Sequence, residues 1–93
     1  MGKFRIEVTN SANKDFAKIY KSGKKSDILK VETFLKEIEM NPREGSGKPE
    51  QLKYYKGEIW SRRINKKDRL VYEIFDDKIL VLIIQSIGHY DDK

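Results

Sequence analysis

The stretch Gly45–Tyr72, GSGKPEQLKYYKGEIWSRRINKKDRLVY, decides how the rest of the chain is read. It opens on a Gly/Pro turn and then alternates polar and apolar residues at the period of a strand. Ile59–Ile64 and Arg69–Phe75 are therefore predicted as two strands joined through Asn65-Lys66-Lys67-Asp68. Their register follows from cost. An odd number of residues in the Ile64–Asp68 connection sets Arg63 opposite Arg69 and Ser61 opposite Val71 on one face. Trp60, Leu70, Tyr72 and Ile74 then gather on the other. An even connection would drive Arg63 or Arg69 into the core, and an unpaired buried guanidinium is expensive. The odd connection is the prediction. Two arginines side by side repel one another, and an anion bridging them would relieve that repulsion.

Working back towards the N-terminus, Lys3–Val8 alternates with Phe4, Ile6 and Val8 on one side, the pattern of a half-buried strand. Thr9, Asn10 and Ser11 offer helix N-caps. Ala12, Phe16, Ile19 and Tyr20 then recur at helical spacing and are read as core, with Gly23 as the stop. A second helix starts between Ser22 and Asp27. Its apolar stripe is Ile28, Val31, Phe34, Leu35 and Ile38, its Lys/Glu face is solvated, and Asn41-Pro42 ends it. Working forward, Ile79–Ile87 is a further strand after the Asp76-Asp77-Lys78 connection. Being apolar on both parities through Ile84, it is placed inside the sheet. Gln51–Tyr54 adds a short edge strand. Residues 1–93 thus read as one α+β domain of order β-α-α-β-β-β, or one strand more. Its sheet is mostly antiparallel, with both helices on one face and the other face left open.

Composition narrows the chemistry. The opening stretch holds eight Lys/Arg against three acids, a formal +5 that equals the net charge of the whole chain. Basic residues interleaved with Tyr54, Tyr55 and Trp60 suit a phosphate backbone and its bases. There is no cysteine and one histidine, so disulfides and thiolate sites are excluded and a zinc or iron site is not expected. No cofactor is expected. The longest wholly apolar run, Ile79–Ile84, is far short of the roughly 20 residues that span a bilayer. The start, MGKFRIEV, lacks the apolar segment of a signal peptide. The expectation is a soluble, cytoplasmic protein without a membrane partner.

Cleaving RNA without a metal needs a base for the ribose 2′-OH, an acid for the departing 5′ oxygen, and cations around the phosphorane. One histidine excludes a two-histidine mechanism. A glutamate base with a histidine acid remains open, and Glu50, His89, Arg63, Arg69 and Lys53 could supply the set. Composition alone favours plain nucleic-acid binding over catalysis, because small basic proteins commonly contain such residues. Arg62 alternates away from Arg63 and reads as a peripheral or structural charge near Trp60. Trp60 itself reads as core. Lys66 and Lys67 at a hairpin tip suit docking on RNA, and equally suit a solvated turn. The GSGK run is no phosphate-binding Walker loop, lacking a strand before it and Ser/Thr after its lysine.

The order of these residues is more specific than their number. G-x-G-K-P-E-x-L-K (Gly45–Lys53), G-x-x-W-S-R-R-I (Gly57–Ile64), R-L-V-Y (Arg69–Tyr72) and the pair His89-Tyr90 resemble the YoeB/Txe branch of the RelE-like toxins of type II toxin–antitoxin pairs. The resemblance is direct over roughly 40% of the chain, and the helical half agrees in layout. It implies a RelE-like, microbial-ribonuclease-like fold and an mRNA endoribonuclease acting with the ribosome in the decoding A site. By similarity Glu50 would be the general base, His89 the general acid, and Arg69 and Arg63 the stabilisers of the phosphorane. Lys53 would assist and Tyr90 would position a nucleotide. The products would be a 2′,3′-cyclic phosphate and a 5′-hydroxyl. The implied partner is a YefM/Axe-type antitoxin with a disordered acidic segment, and family members often form homodimers. The alternative is a non-catalytic RNA- or ribosome-binding module built on the same basic face.

Overall fold

The computed structural model describes residues 3–53 and 55–85. The chain runs β1 (Arg5–Val8), α1 (Asn10–Ser22), α2 (Lys25–Met40), β2 (Glu50–Leu52), β3 (Glu58–Arg63), β4 (Arg69–Phe75), a single 3-10 turn (Asp76–Lys78) and β5 (Leu80–Gln85). The five strands form one sheet in the order β1-β5-β4-β3-β2. All neighbours are antiparallel except β1 and β5, which run parallel. The last described strand is therefore internal, as its two-sided apolar sequence requires. Ser86, Ile87 and Gly88, the end of the predicted last strand and the residues after it, lie outside the described residues.

Local chemistry sets the helix ends. The Thr9 hydroxyl accepts the backbone N–H of Ala12 at 3.1 Å, an N-cap, and donates to the Ile84 carbonyl at 3.1 Å. One side chain thus starts α1 and ties it to β5. Gly23 ends α1 in the left-handed conformation at φ 72°, open to glycine without strain. After α2, the Asn41 side chain accepts the Arg43 N–H at 3.1 Å, a turn that aims the chain back towards the sheet.

The helices cover one face of the sheet. Val31, Phe34 and Ile38 from α2, and Ala12 and Ile19 from α1, pack on Leu70, Tyr72, Ile74, Val81 and Ile83. Burying a side chain the size of Phe34 contributes about 1.5–3 kcal/mol. One expectation, a buried Tyr20, is corrected at the edge of this core. Tyr20 is 47% exposed, and its hydroxyl donates to Glu32 on α2 at 3.2 Å instead of entering the core. Trp60 packs against this core as expected but is only half-buried, with its indole N–H donating to Glu58 at 2.9 Å. Among the described residues, no helix is long and apolar enough to cross a membrane.

The β3–β4 register is the odd one: Arg63 pairs with Arg69, Ser61 with Val71, and Trp60 with Tyr72. A guanidinium nevertheless enters the core, and it is that of Arg62, with no exposure at all. It is structural rather than peripheral, and its burial is tolerated because it is fully partnered.

Candidate active site

The loop leading to Glu50 is held from behind by Arg62. Its Nη2 donates to the Glu44 carbonyl at 2.7 Å and, at 3.4 Å each, to those of Asn41 and Pro42. Nη1 donates to Glu37 Oε1 at 2.8 Å and to the Ser46 carbonyl at 3.3 Å. Nε donates to the Tyr72 hydroxyl at 3.1 Å, which in turn donates to the Pro42 carbonyl at 2.7 Å. Glu37 also accepts the Ser46 N–H and hydroxyl at 2.9 and 2.8 Å. Burial alone would raise the Glu37 carboxyl, but the Ser46 donors and the Arg62 guanidinium hold it below the usual carboxylate range. Burial pushes the Tyr72 hydroxyl up, with Arg62 opposing.

Two consecutive residues of this loop are left-handed, Gly47 at φ 80° and Lys48 at φ 52°. A Cβ on Gly47 would stand 2.5 Å from the Phe34 ring, so the backbone approaches the core more closely than any side chain permits. The Gly47 carbonyl accepts the Arg63 N–H at 2.8 Å, fastening the loop to the end of β3. Lys48 adds backbone strain of the kind that concentrates at functional loops. Pinned at these points, the chain enters β2 at Glu50.

On the face away from the helices, Glu50 on β2 lies opposite Ser61 on β3, which lies opposite Val71 on β4. The Arg63–Arg69 pair is the next same-face pair along β3 and β4. Arg69 Nη1 is 4.0 Å from Glu50 Oε1, an ion pair too long to be a hydrogen bond. Because the Glu50 side chain is 69% exposed, such a pair is worth about 0–1 kcal/mol and is no structural strut. A carboxylate beside two adjacent guanidinium groups can accept a proton from a hydroxyl while the cations hold a neighbouring phosphodiester. Glu50, Arg63 and Arg69, chosen from sequence, are thus brought together.

Lys53 is exposed just beyond β2, and Lys66 and Lys67 are exposed at the β3–β4 connection. Tyr54, His89 and Tyr90 lie outside the described residues. A cleft of about 520 Å³ opens between α2, the Gly47 loop and the hairpin, with Leu29 and Phe34 among its apolar lining and Lys48, Arg63 and Lys66 among its cations. Among the described residues, no group of three or more His, Cys, Asp or Glu side chains is placed to hold a metal ion.

One residue of this face was not singled out as functional in sequence. Ser61 is 1% exposed, and its Oγ is the single buried side-chain polar atom without a hydrogen-bond partner among the described residues. Leaving a hydroxyl in that state costs about 1–3 kcal/mol. Alternation from Arg63 already put it on the open face; its missing partner becomes visible only in three dimensions.

With this geometry in place, comparison with known proteins is specific. A family described as "YoeB-like toxin of bacterial type II toxin-antitoxin system" matches residues 8–90. The chain belongs to this family. Toxin YoeB of Streptomyces coelicolor is 35% identical over 86 residues, covering 92% of this chain and 99% of that protein. Toxin YoeB of Escherichia coli K12 is 43% identical over 54 residues, a match spanning 58% of this chain and 64% of that protein. The Staphylococcus aureus protein solved as a YoeB dimer superposes with a TM-score of 0.76 at 36% identity, covering 95% of this chain and 99% of that one. A heterotetrameric YoeB–YefM toxin–antitoxin complex from Staphylococcus aureus superposes with a TM-score of 0.74 at 36% identity, covering 95% of this chain and 99% of that one. An archaeal RelE–RelB complex from Pyrococcus horikoshii, at 15% identity and a TM-score of 0.72, shares the fold.

Proposed function

We propose that this chain is a ribosome-dependent mRNA endoribonuclease, the toxin of a toxin–antitoxin pair, working without a metal. The observation that carries the reading is Glu50 set 4.0 Å from Arg69, with Arg63 paired beside Arg69 on the open sheet face. Family membership supplies the biological context.

In the proposed reaction, the Glu50 carboxylate takes the proton of a ribose 2′-OH. The 2′ oxygen bonds to the adjacent phosphorus, and the bond from phosphorus to the 5′ oxygen breaks. His89 protonates that leaving oxygen, giving a 2′,3′-cyclic phosphate and a 5′-hydroxyl end. Arg69 and Arg63 balance the charge that builds on the phosphorane, where preorganised cations contribute most. Lys53 adds to the positive field, Tyr90 positions a nucleotide, and Lys66 and Lys67 contact ribosomal RNA. Translation stops because the message is cut in the decoding site, which sets the action in the cytoplasm.

The partner we infer is a YefM/Axe-type antitoxin, the kind with which the S. aureus relative was solved. An acidic segment carrying apolar side chains matches the cleft, where Leu29 and Phe34 offer apolar contact and Lys48, Arg63 and Lys66 offer charge. A homodimer, the form in which a YoeB of Staphylococcus aureus was solved, is compatible with the same fold.

Primer extension on a translated message tests the enzyme reading. Wild type is expected to cut within codons on translating ribosomes, and Glu50→Ala and His89→Ala to lose most of that cleavage. Intact messages with wild type would leave the second reading, a module that binds RNA or the ribosome without cutting; cleavage by both variants equal to that of wild type would overturn the roles given to Glu50 and His89.

A further inference from the structure

Ser61 is buried on the face that carries Glu50, Arg63 and Arg69, paired with Glu50 on one side and Val71 on the other, and its hydroxyl has no hydrogen-bond partner. The buried polar groups of the helix-facing side show the contrast. Arg62 and Tyr72 are bonded to each other and to backbone carbonyls, and Asp27 accepts from Asn65 at 3.0 Å. The unpaired hydroxyl is confined to the face that meets substrate. Its direct cross-strand neighbour is Glu50. Directly opposite residues of an antiparallel pair place their Cβ atoms about 4.5–5.5 Å apart, so a rotation of the glutamate side chain brings carboxylate and hydroxyl within hydrogen-bond reach.

We propose that Ser61 is a positioning residue for Glu50, donating to its carboxylate when RNA occupies the site; this rests on the reading of Glu50 as the base. In the free protein Glu50 is turned towards Arg69, at 4.0 Å. A phosphodiester entering between Arg63 and Arg69 competes for the Arg69 guanidinium. The carboxylate then gives up its cation and takes the Ser61 hydroxyl, which fixes one oxygen and leaves the other to receive the 2′-OH proton. The Ser61 hydroxyl is withdrawn from water, at 1% exposure, which strengthens the bond it donates. It forms only with substrate bound, so its energy favours the reacting complex over the free protein.

The test pairs a stability measurement with single-turnover cleavage on ribosome–mRNA complexes, for wild type, Ser61→Ala, Glu50→Ala and the double variant. Ser61→Ala removes no bond of the free protein, so its urea midpoint should equal or exceed that of wild type. Its cleavage rate at saturating ribosome complex should fall about 10- to 100-fold, with affinity for the complex unchanged. In the Glu50→Ala background the same change should have no further effect on the residual rate. A wild-type rate in Ser61→Ala would overturn the inference. So would a lowered urea midpoint in Ser61→Ala, or an equal loss of rate in the Glu50→Ala background. If Glu50→Ala alone cleaves like wild type, it is the base assignment that fails, and the role of Ser61 falls with it.

Discussion

Arg62 and Glu37 meet at 2.8 Å, joining the helix-facing side of the sheet to the last turns of α2, with the arginine fully enclosed and the glutamate at the surface edge. The pair and its carbonyl contacts shape the segment that delivers Glu50. Arg62→Ala should cost about 3 kcal/mol, the low end for breaking a buried pair, because Glu37 can rehydrate. Arg62→Lys should recover little of this, since an ammonium cannot fork between Glu37, Tyr72 and the loop carbonyls. Urea denaturation with an unchanged m-value measures both.

Acid should weaken the fold through two carboxylates. Glu58 is held below the usual range chiefly by its bond to Arg43 at 2.6 Å, burial opposing and the Trp60 N–H assisting. Glu37 is likewise held down, by Ser46 and Arg62 against its own burial. A depressed folded value means stability that is present in full above the unfolded value of about 4.3. It is lost as pH falls through the lower folded values. The urea midpoint should therefore drop progressively as pH is lowered below about 5. Glu58→Gln should flatten that slope.

At Arg63 the two measurements should move in opposite directions. Its side chain faces Arg69 across the strands, and like charges so placed are destabilising. Arg63→Gln should raise stability by about 0.2–1 kcal/mol. It should also slow cleavage by about 10²-fold if the guanidinium stabilises the phosphorane. Thermal melting and single-turnover cleavage on the same preparation check the pair of outcomes.

Gly47 should not tolerate a side chain. Its φ of 80° and the Phe34 ring 2.5 Å from the position of a Cβ both oppose alanine. Gly47→Ala should cost about 2–3 kcal/mol from overpacking and strain together. Movement of the loop should also displace Glu50, lowering cleavage beyond what the unfolded fraction explains. A denaturation curve with a rate at fixed folded fraction separates the two.

Much of this was legible in the chain. Alternation located β3 and β4, and the cost of an unpaired guanidinium chose the register that sets Arg63 against Arg69. The change of period after Pro42 separated helices from hairpins, and two-sided apolarity placed β5 inside the sheet. The parallel pairing of β1 with β5 joins distant segments, and no local pattern encodes such a pairing. Arg62 shows a different limit: its burial depends on carbonyls from Asn41, Pro42, Glu44 and Ser46, which converge only when the loop has folded. Tyr20 fits a helical stripe by spacing, but its hydroxyl bond to Glu32 on the neighbouring helix is a tertiary property.

The parallel β1–β5 pair has a consequence for synthesis. β1 is made first and has no strand neighbour but β5, which is made last among the described strands. Until β5 leaves the ribosome, β1 has an unpaired backbone and the inner side of β4 lacks its companion. Non-local closure of this kind comes late in folding. Until β5 emerges, a nascent copy would thus be an unfinished sheet on the machine on which we propose it acts. Emergence of β5 would be the first moment at which the sheet can close.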